Sequence, residues 1–170
     1  MIKISADKYV IDTCSIIDGY SDLNIRSTLQ RLIKVGRLKL PPTVMWELEV
    51  GADSAFTWAK QWENMLIQEL SDSALSLLDG LITKYGKPFK DPEDPGKTYI
   101  GLIKKGSSYE TDPEIVALAI DNGWTVVTEQ GGIKGACKCE KIAGRKIECI
   151  SLVDLAKKEA QEIQRGFDFR

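Results

Sequence analysis

The sequence predicts an α/β fold in which a parallel sheet is covered on both faces by helices. Two runs, Lys8-Tyr-Val-Ile-Asp12 and Trp124-Thr-Val-Val-Thr128, are short, rich in β-branched and aromatic residues, and lack the polar alternation of a half-exposed strand. Segments with apolar residues at helical spacing stand between such runs, and 170 residues suffice for one good core. A single domain over 1–170 is therefore expected.

The first run reads as a buried strand, followed by a loop and then a helix over 22–35, where Leu23, Ile25, Leu29, Leu32 and Ile33 recur before Gly36. Arg37-Leu-Lys-Leu40 is a second strand, broken by Pro41-Pro42; Pro42 suits the first turn of a helix that Gly51 ends. Two helices are expected over 54–85, parted at Leu70-Ser71-Asp72. The stretch 86–111, with Pro88, Pro92, Pro95, Gly96, Gly101 and Gly106, reads as a long loop, a candidate substrate-facing flap. The clearest helix is 112–123, with Asp112 as N-cap, Pro113 at its first position, Glu114 at the positive dipole end and Asn122-Gly123 as its stop. The strand ending at Thr128 follows, Glu129-Gln-Gly-Gly132 turns away, and a strand over 146–150 leads into a helix over 151–165. In parallel sheets of this kind ligands bind beyond the carboxyl ends of the strands, where Asp12 and Glu129 both fall.

Composition narrows the chemistry. No histidine is present, which removes Ser-His-Asp and Cys-His hydrolases and histidine-ligated zinc together. A net charge of −2 gives no bulk attraction to a polyanion, so nucleic-acid contact would need a local patch. Lys90, Lys97, Lys104 and Lys105 offer one, against the commoner reading of a solvated charged loop. No apolar run approaches the roughly 20 residues of a membrane span, and the N-terminal Met1-Ile-Lys-Ile-Ser-Ala-Asp7 lacks the pattern of an export signal, so a cytoplasmic protein without a membrane partner is expected. Cys137-Lys-Cys139 with Cys149 could supply three zinc ligands, but the C-x₂-C spacing is absent, and free thiols in a loop are the preferred reading. The four tryptophans sit at core-like positions.

Asp12 leaves a buried strand with Thr13 and Ser15 beside it, an oxygen-rich setting suited to magnesium or manganese; taken alone, it equally reads as a turn cap. Glu47 and Glu49, two apart on a helix, face different directions, and Glu47 is the one expected to meet Asp12. Thr13, Ser15 and Thr128 would orient ligands or water, or serve ordinary turns. A dinucleotide-binding module is excluded because no G-x-G-x-x-G follows the first strand. A phosphatase using Asp12 as nucleophile would want an acid at position 14, which is Cys14.

Taken together, Val10-Ile-Asp-Thr13, Val44-x-x-Glu47-Leu48, Asp112-x-x-Ile-Val-Ala-Leu-Ala119 and Val126-Val-Thr-Glu129 resemble, in order and context, the acidic motifs of PIN-domain ribonucleases of the VapC-like kind. Within that family the Asp-Thr-x-Ser opening and Val-Val-Thr-Glu ending look most like a prokaryotic subgroup of the DUF4411 type. The resemblance implies a three-layer α/β/α fold, endonuclease activity on RNA dependent on Mg²⁺ or Mn²⁺, a homodimer, and in many cases a toxin role with an antitoxin partner. Carried onto this sequence, it makes Asp12, Glu47 and Asp112 the metal ligands, with Glu129 or Gln130 at the edge. The chain departs from the pattern in one place: the fourth acid usually stands two residues after the Thr, where Gln130 stands here. That departure supports the competing reading of a PIN-like binding module with weakened catalysis.

Overall fold

The computed structural model describes residues 7–51, 53–104 and 111–168. Its centre is β1 (Tyr9–Ile11), all three residues fully buried, flanked by β2 (Leu38–Lys39) and β5 (Thr125–Val127), with β6 (Cys149–Ile150) beyond β5. All three pairings are parallel, in the registers Tyr9↔Leu38, Val10↔Val126 and Val126↔Cys149. A strand sealed on both faces has no use for polar alternation, which is why these runs are apolar throughout.

The order β2-β1-β5-β6 reverses at β1 and β5, and right-handed crossovers then place helices on opposite faces. From β1 to β2 the chain passes through α1 (Thr13–Ser21) and α2 (Leu23–Lys34); α2 packs on β2 and on the last helix, α9 (Leu152–Asp168). From β2 to β5 it passes through α3 (Pro42–Gly51), α4 (Asp53–Lys60), α5 (Glu63–Leu66), α6 (Asp72–Tyr85) and α7 (Thr111–Asn122). α7 lies on β1 and β5, between α6 and α8 (Gly131–Ile142). The α/β/α layers and central parallel sheet are those expected.

Five local expectations are corrected. The segment after Asp12 is helix α1, not a loop. Thr13, Ser15, Ile16, Ile17 and Gly19 are weak helix formers, but Asp12 caps the helix, and burial of Ile16 and Gly19 outweighs propensity. A Cβ on Gly19 would stand 2.5 Å from Leu29 Cδ1, so close packing of α1 on α2 requires glycine there. The segment 54–85 forms three helices rather than two, because the chain turns at Trp62 so that Leu40 can bridge to Ile67. The expected break at Ser71 holds, with Ser71 Oγ accepting from Ala74 N at 3.1 Å.

The stretch read as a free flap is largely docked. β3 (Phe89–Lys90) and β4 (Thr98–Tyr99) form an antiparallel hairpin, and the buried Leu102 donates its N–H to Tyr85 O at 2.7 Å. Tyr99 OH donates to Asp91 Oδ2 at 2.7 Å, and Lys138 Nζ of α8 donates to the same oxygen at 2.9 Å. Lys105 and the rest of 105–110 lie outside the described residues. The hairpin also explains the fourth correction, that Gly131 opens helix α8 rather than a turn: the Tyr99 ring lies over Gly135, where a Cβ would come within 2.4 Å of Tyr99 Cγ. Cys137 and Cys139 are thus on a helix, not in a loop. Gly135→Ala is expected to destabilise the chain by about 1–3 kcal/mol through overpacking, read as a lowered urea midpoint with unchanged slope.

Asp112 is also not the N-cap that was expected. α7 starts at Thr111, and Asp112 lies in its first turn. No helix among the described residues is long and apolar enough to cross a membrane.

Candidate active site

Asp12 stands at the carboxyl end of β1 beside the reversal in strand order and is fully buried. Its Oδ1 accepts from Ser15 N at 2.8 Å, which caps α1, and its Oδ2 accepts from the Thr128 hydroxyl at the end of β5. Thr128 Oγ1 in turn accepts from Gln130 N at 2.9 Å. The cap reading and the site reading of Asp12 are therefore both met, one by each oxygen.

The other two acids come from helices that start at the same edge of the sheet. Glu47, in the second turn of α3, accepts from the Thr13 hydroxyl through Oε2. Glu49 points to solvent, as its spacing implied. Asp112 opens α7, and the two helices are tied directly by Thr43 Oγ1, one turn before Glu47, donating to Glu114 Oε2 at 2.5 Å. This tie was missed in the sequence, where Glu114 registered only as a dipole-favoured acid; the i,i+4 spacing of Thr43 and Glu47 was its one signal.

The charges of Asp12 and Glu47 both reach Asp112. Burial pushes Asp12 up, against the pull of the Thr128 and Ser15 hydrogen bonds, and Glu129 adds to the rise. Asp112 is pushed up to about 7, chiefly by burial; Lys104 opposes this, and Asp12 and Glu47 raise it further. Of the four lysines proposed as a patch, Lys104 is thus beside the acids, while Lys97 lies over the Tyr99 ring at 4.9 Å.

The remaining two candidates are directed elsewhere. Glu129 Oε1 accepts from Leu152 N at 3.1 Å, capping α9, and Oε2 meets Lys134 Nζ at 3.3 Å. Gln130 Nε2 reaches Cys14 Sγ at 3.3 Å. Lys134, which the sequence reading did not single out, is therefore what holds Glu129 at the rim.

The donor chemistry suits a hard divalent cation: one buried and two half-buried carboxylates, hydroxyls that orient two of them, and a raised pKa that an added positive charge would relieve. Among the described residues, however, no three Cys, Asp or Glu side chains stand grouped so that they could hold a metal ion. Because the folded pKa of Asp112 lies above its ordinary 3.8, the folded chain keeps a proton that the unfolded chain loses. Metal-free stability should therefore be greatest below about pH 4 as far as this group is concerned, and fall as pH rises to about 7. A cation binding the ionised form should bind more tightly over the upper part of that range and level off above it. Thermal melts with and without Mn²⁺ between about pH 5.5 and 8 check both trends, and Asp112→Asn should flatten them.

A family model described as "Domain of unknown function (DUF4411)" matches residues 9–163. The chain belongs to the DUF4411 family. Twelve chains of solved structures match it. One, from the crystal structure of DNA-bound VapBC from Salmonella typhimurium, is 18% identical over 86% of this chain and 98% of its own, with a TM-score of 0.51. At that identity the likeness is one of fold, and it agrees with the α/β/α layering described above. No curated protein matches the chain.

Proposed function

We propose that this DUF4411 member is an endoribonuclease dependent on Mg²⁺ or Mn²⁺, with Asp12, Glu47 and Asp112 holding the cation. The observation that carries the reading is the full burial of Asp12 at the carboxyl end of β1, with Ser15 N on one of its oxygens and the Thr128 hydroxyl on the other. Asp12, Glu47 and Asp112 stand on three elements at the carboxyl edge of the sheet, Asp12 fully buried and the other two partly so, and this supports the reading of a cation site. When bound, a divalent cation would supply Lewis acidity toward a phosphodiester. The chain's own residues prepare the site: Thr128 fixes one Asp12 oxygen, Ser15 N fixes the other, and Thr13 orients Glu47. Without histidine, general acid and base work falls to carboxylates and water.

The likeness to a VapBC chain supports a role as the toxin of a toxin–antitoxin pair, in the cytoplasm, with a protein partner that covers the site. The second reading, a binding module with weakened catalysis, is favoured by one observation: Glu129 and Gln130 are held by Leu152, Lys134 and Cys14 rather than by the acids. Incubation of a circular RNA with the purified chain and Mn²⁺ separates the two. Linearisation that EDTA stops is the expected result, and intact circles from folded protein would favour the binding module. Thr128→Val, which removes only the hydroxyl that fixes Asp12, should lower cleavage by about 10- to 100-fold.

A further inference from the structure

The cysteines carry chemistry that the carboxylate site does not use. Cys139 lies two residues from Cys137 on α8, about 200° round the helix, and the charges it feels are those of Asp91, Glu140 and Lys138. Cys137 faces the other way, where it is 2% exposed and lines one cavity with Cys149 of β6. The three-thiol zinc arrangement is therefore not formed, and among the described residues no other group completes a metal site there. What the fold makes instead is a close pair of free thiols on two different elements. Both line a cavity of about 490 Å³, together with Lys134, Lys138, Ile147 and Ser151, large enough to admit a small solute.

We propose that Cys137 and Cys149 are a reversible redox pair that closes to an intramolecular disulfide when a low-molecular-weight disulfide enters this cavity. Cys149 reacts first. It is the more exposed of the two, and Lys134 lines the cavity with it and favours its thiolate, while Cys137 is 2% exposed and burial disfavours its thiolate. The Cys149 thiolate attacks one sulfur of the small disulfide, forming a mixed disulfide and releasing one small thiolate. Cys137 then gives up its proton and attacks Cys149 Sγ, which expels the second small thiolate. Two protein S–H bonds are lost, one S–S bond forms, and the small disulfide leaves as two thiols carrying the two protons. The bond would sit beside the candidate site: Cys149 is in register with Val126, and Thr128, which holds Asp12, donates its N–H to Ile150 O at 3.1 Å.

The test uses the full chain with Cys14→Ser and Cys139→Ser, so that only this pair can react. It is incubated folded with oxidised glutathione, then unfolded in an alkylating reagent and weighed. The expected result is a chain two hydrogens lighter, with no glutathione retained and neither thiol alkylated, restored to two alkylatable thiols by dithiothreitol. Glutathione retained on Cys149 with Cys137 still alkylatable, or both thiols unreacted, overturns the proposal. In the unaltered chain the same treatment should give a peptide linking Cys137 to Cys149, and a link from either one to Cys14 or Cys139 instead would contradict it.

Discussion

Replacing Asp12 by Asn is expected to lower RNA cleavage by at least about a hundredfold while leaving the melting temperature unchanged or higher. The two halves of this expectation come from different properties of the same side chain. Loss of groups that merely orient a metal ligand costs about 10- to 100-fold, so removal of a ligand's charge should cost no less. Stability should not suffer, because the carboxylate is fully buried and its pKa is raised, which means that the folded chain carries the charge at a cost. Asn keeps an oxygen that can accept from Ser15 N, so the cap of α1 survives. A variant that lost activity and stability together would instead mark Asp12 as a structural cap.

Glu159→Ala should do the reverse, lowering stability by about 3–5 kcal/mol for a reason remote from the site. Glu159 of α9 is fully buried against the sheet. Its Oε1 accepts from Arg37 Nη2 at 2.8 Å and Tyr9 OH at 3.2 Å, and its Oε2 from Arg37 Nη1 at 3.1 Å and Arg31 Nη1 at 3.2 Å. One carboxylate thus ties α9 to α2, to the entry of β2 and to the central strand. Its removal leaves the buried Arg37 guanidinium only the longer pair with Glu162, at 3.7 Å, and that poorly compensated cation is the source of the loss. In urea titrations the Arg37→Ala, Glu159→Ala double variant should lose less than the sum of the single variants. Additive losses would show that the two groups do not depend on each other.

These two residues also mark how far the sequence could be read. Asp12 was legible because a strand sealed on both faces is an unbroken apolar run, and the acid that ends it falls at the edge where parallel sheets bind ligands. Glu47 and Asp112 followed from the order of motifs and from helix spacing. Glu159 was not legible, since an acid in a polar, amphipathic C-terminal helix looks like any solvated residue until Arg37 and Tyr9 meet it from the other end of the chain. The helical character of 13–21 and 131–142 was hidden by glycines whose purpose is tertiary, the approach of Leu29 to Gly19 and of Tyr99 to Gly135. The hairpin within 86–104 was hidden by its prolines and glycines, although Phe89, Tyr99 and Leu102 are the apolar anchors that dock it. At the fourth acidic position the sequence posed a choice between Glu129 and Gln130. The fold turns Glu129 to the N-terminus of α9 and Gln130 to Cys14, a result of local geometry after β5 that spacing does not encode.

The most direct test of the central claim, that Asp12, Glu47 and Asp112 form one cation site, is anomalous diffraction from crystals grown with Mn²⁺ at about pH 8, above the pKa of about 7 of Asp112. The account predicts a manganese peak among these three carboxylates, absent from Asp12→Asn crystals. A peak at Glu129 instead, or none among the three carboxylates, would contradict it.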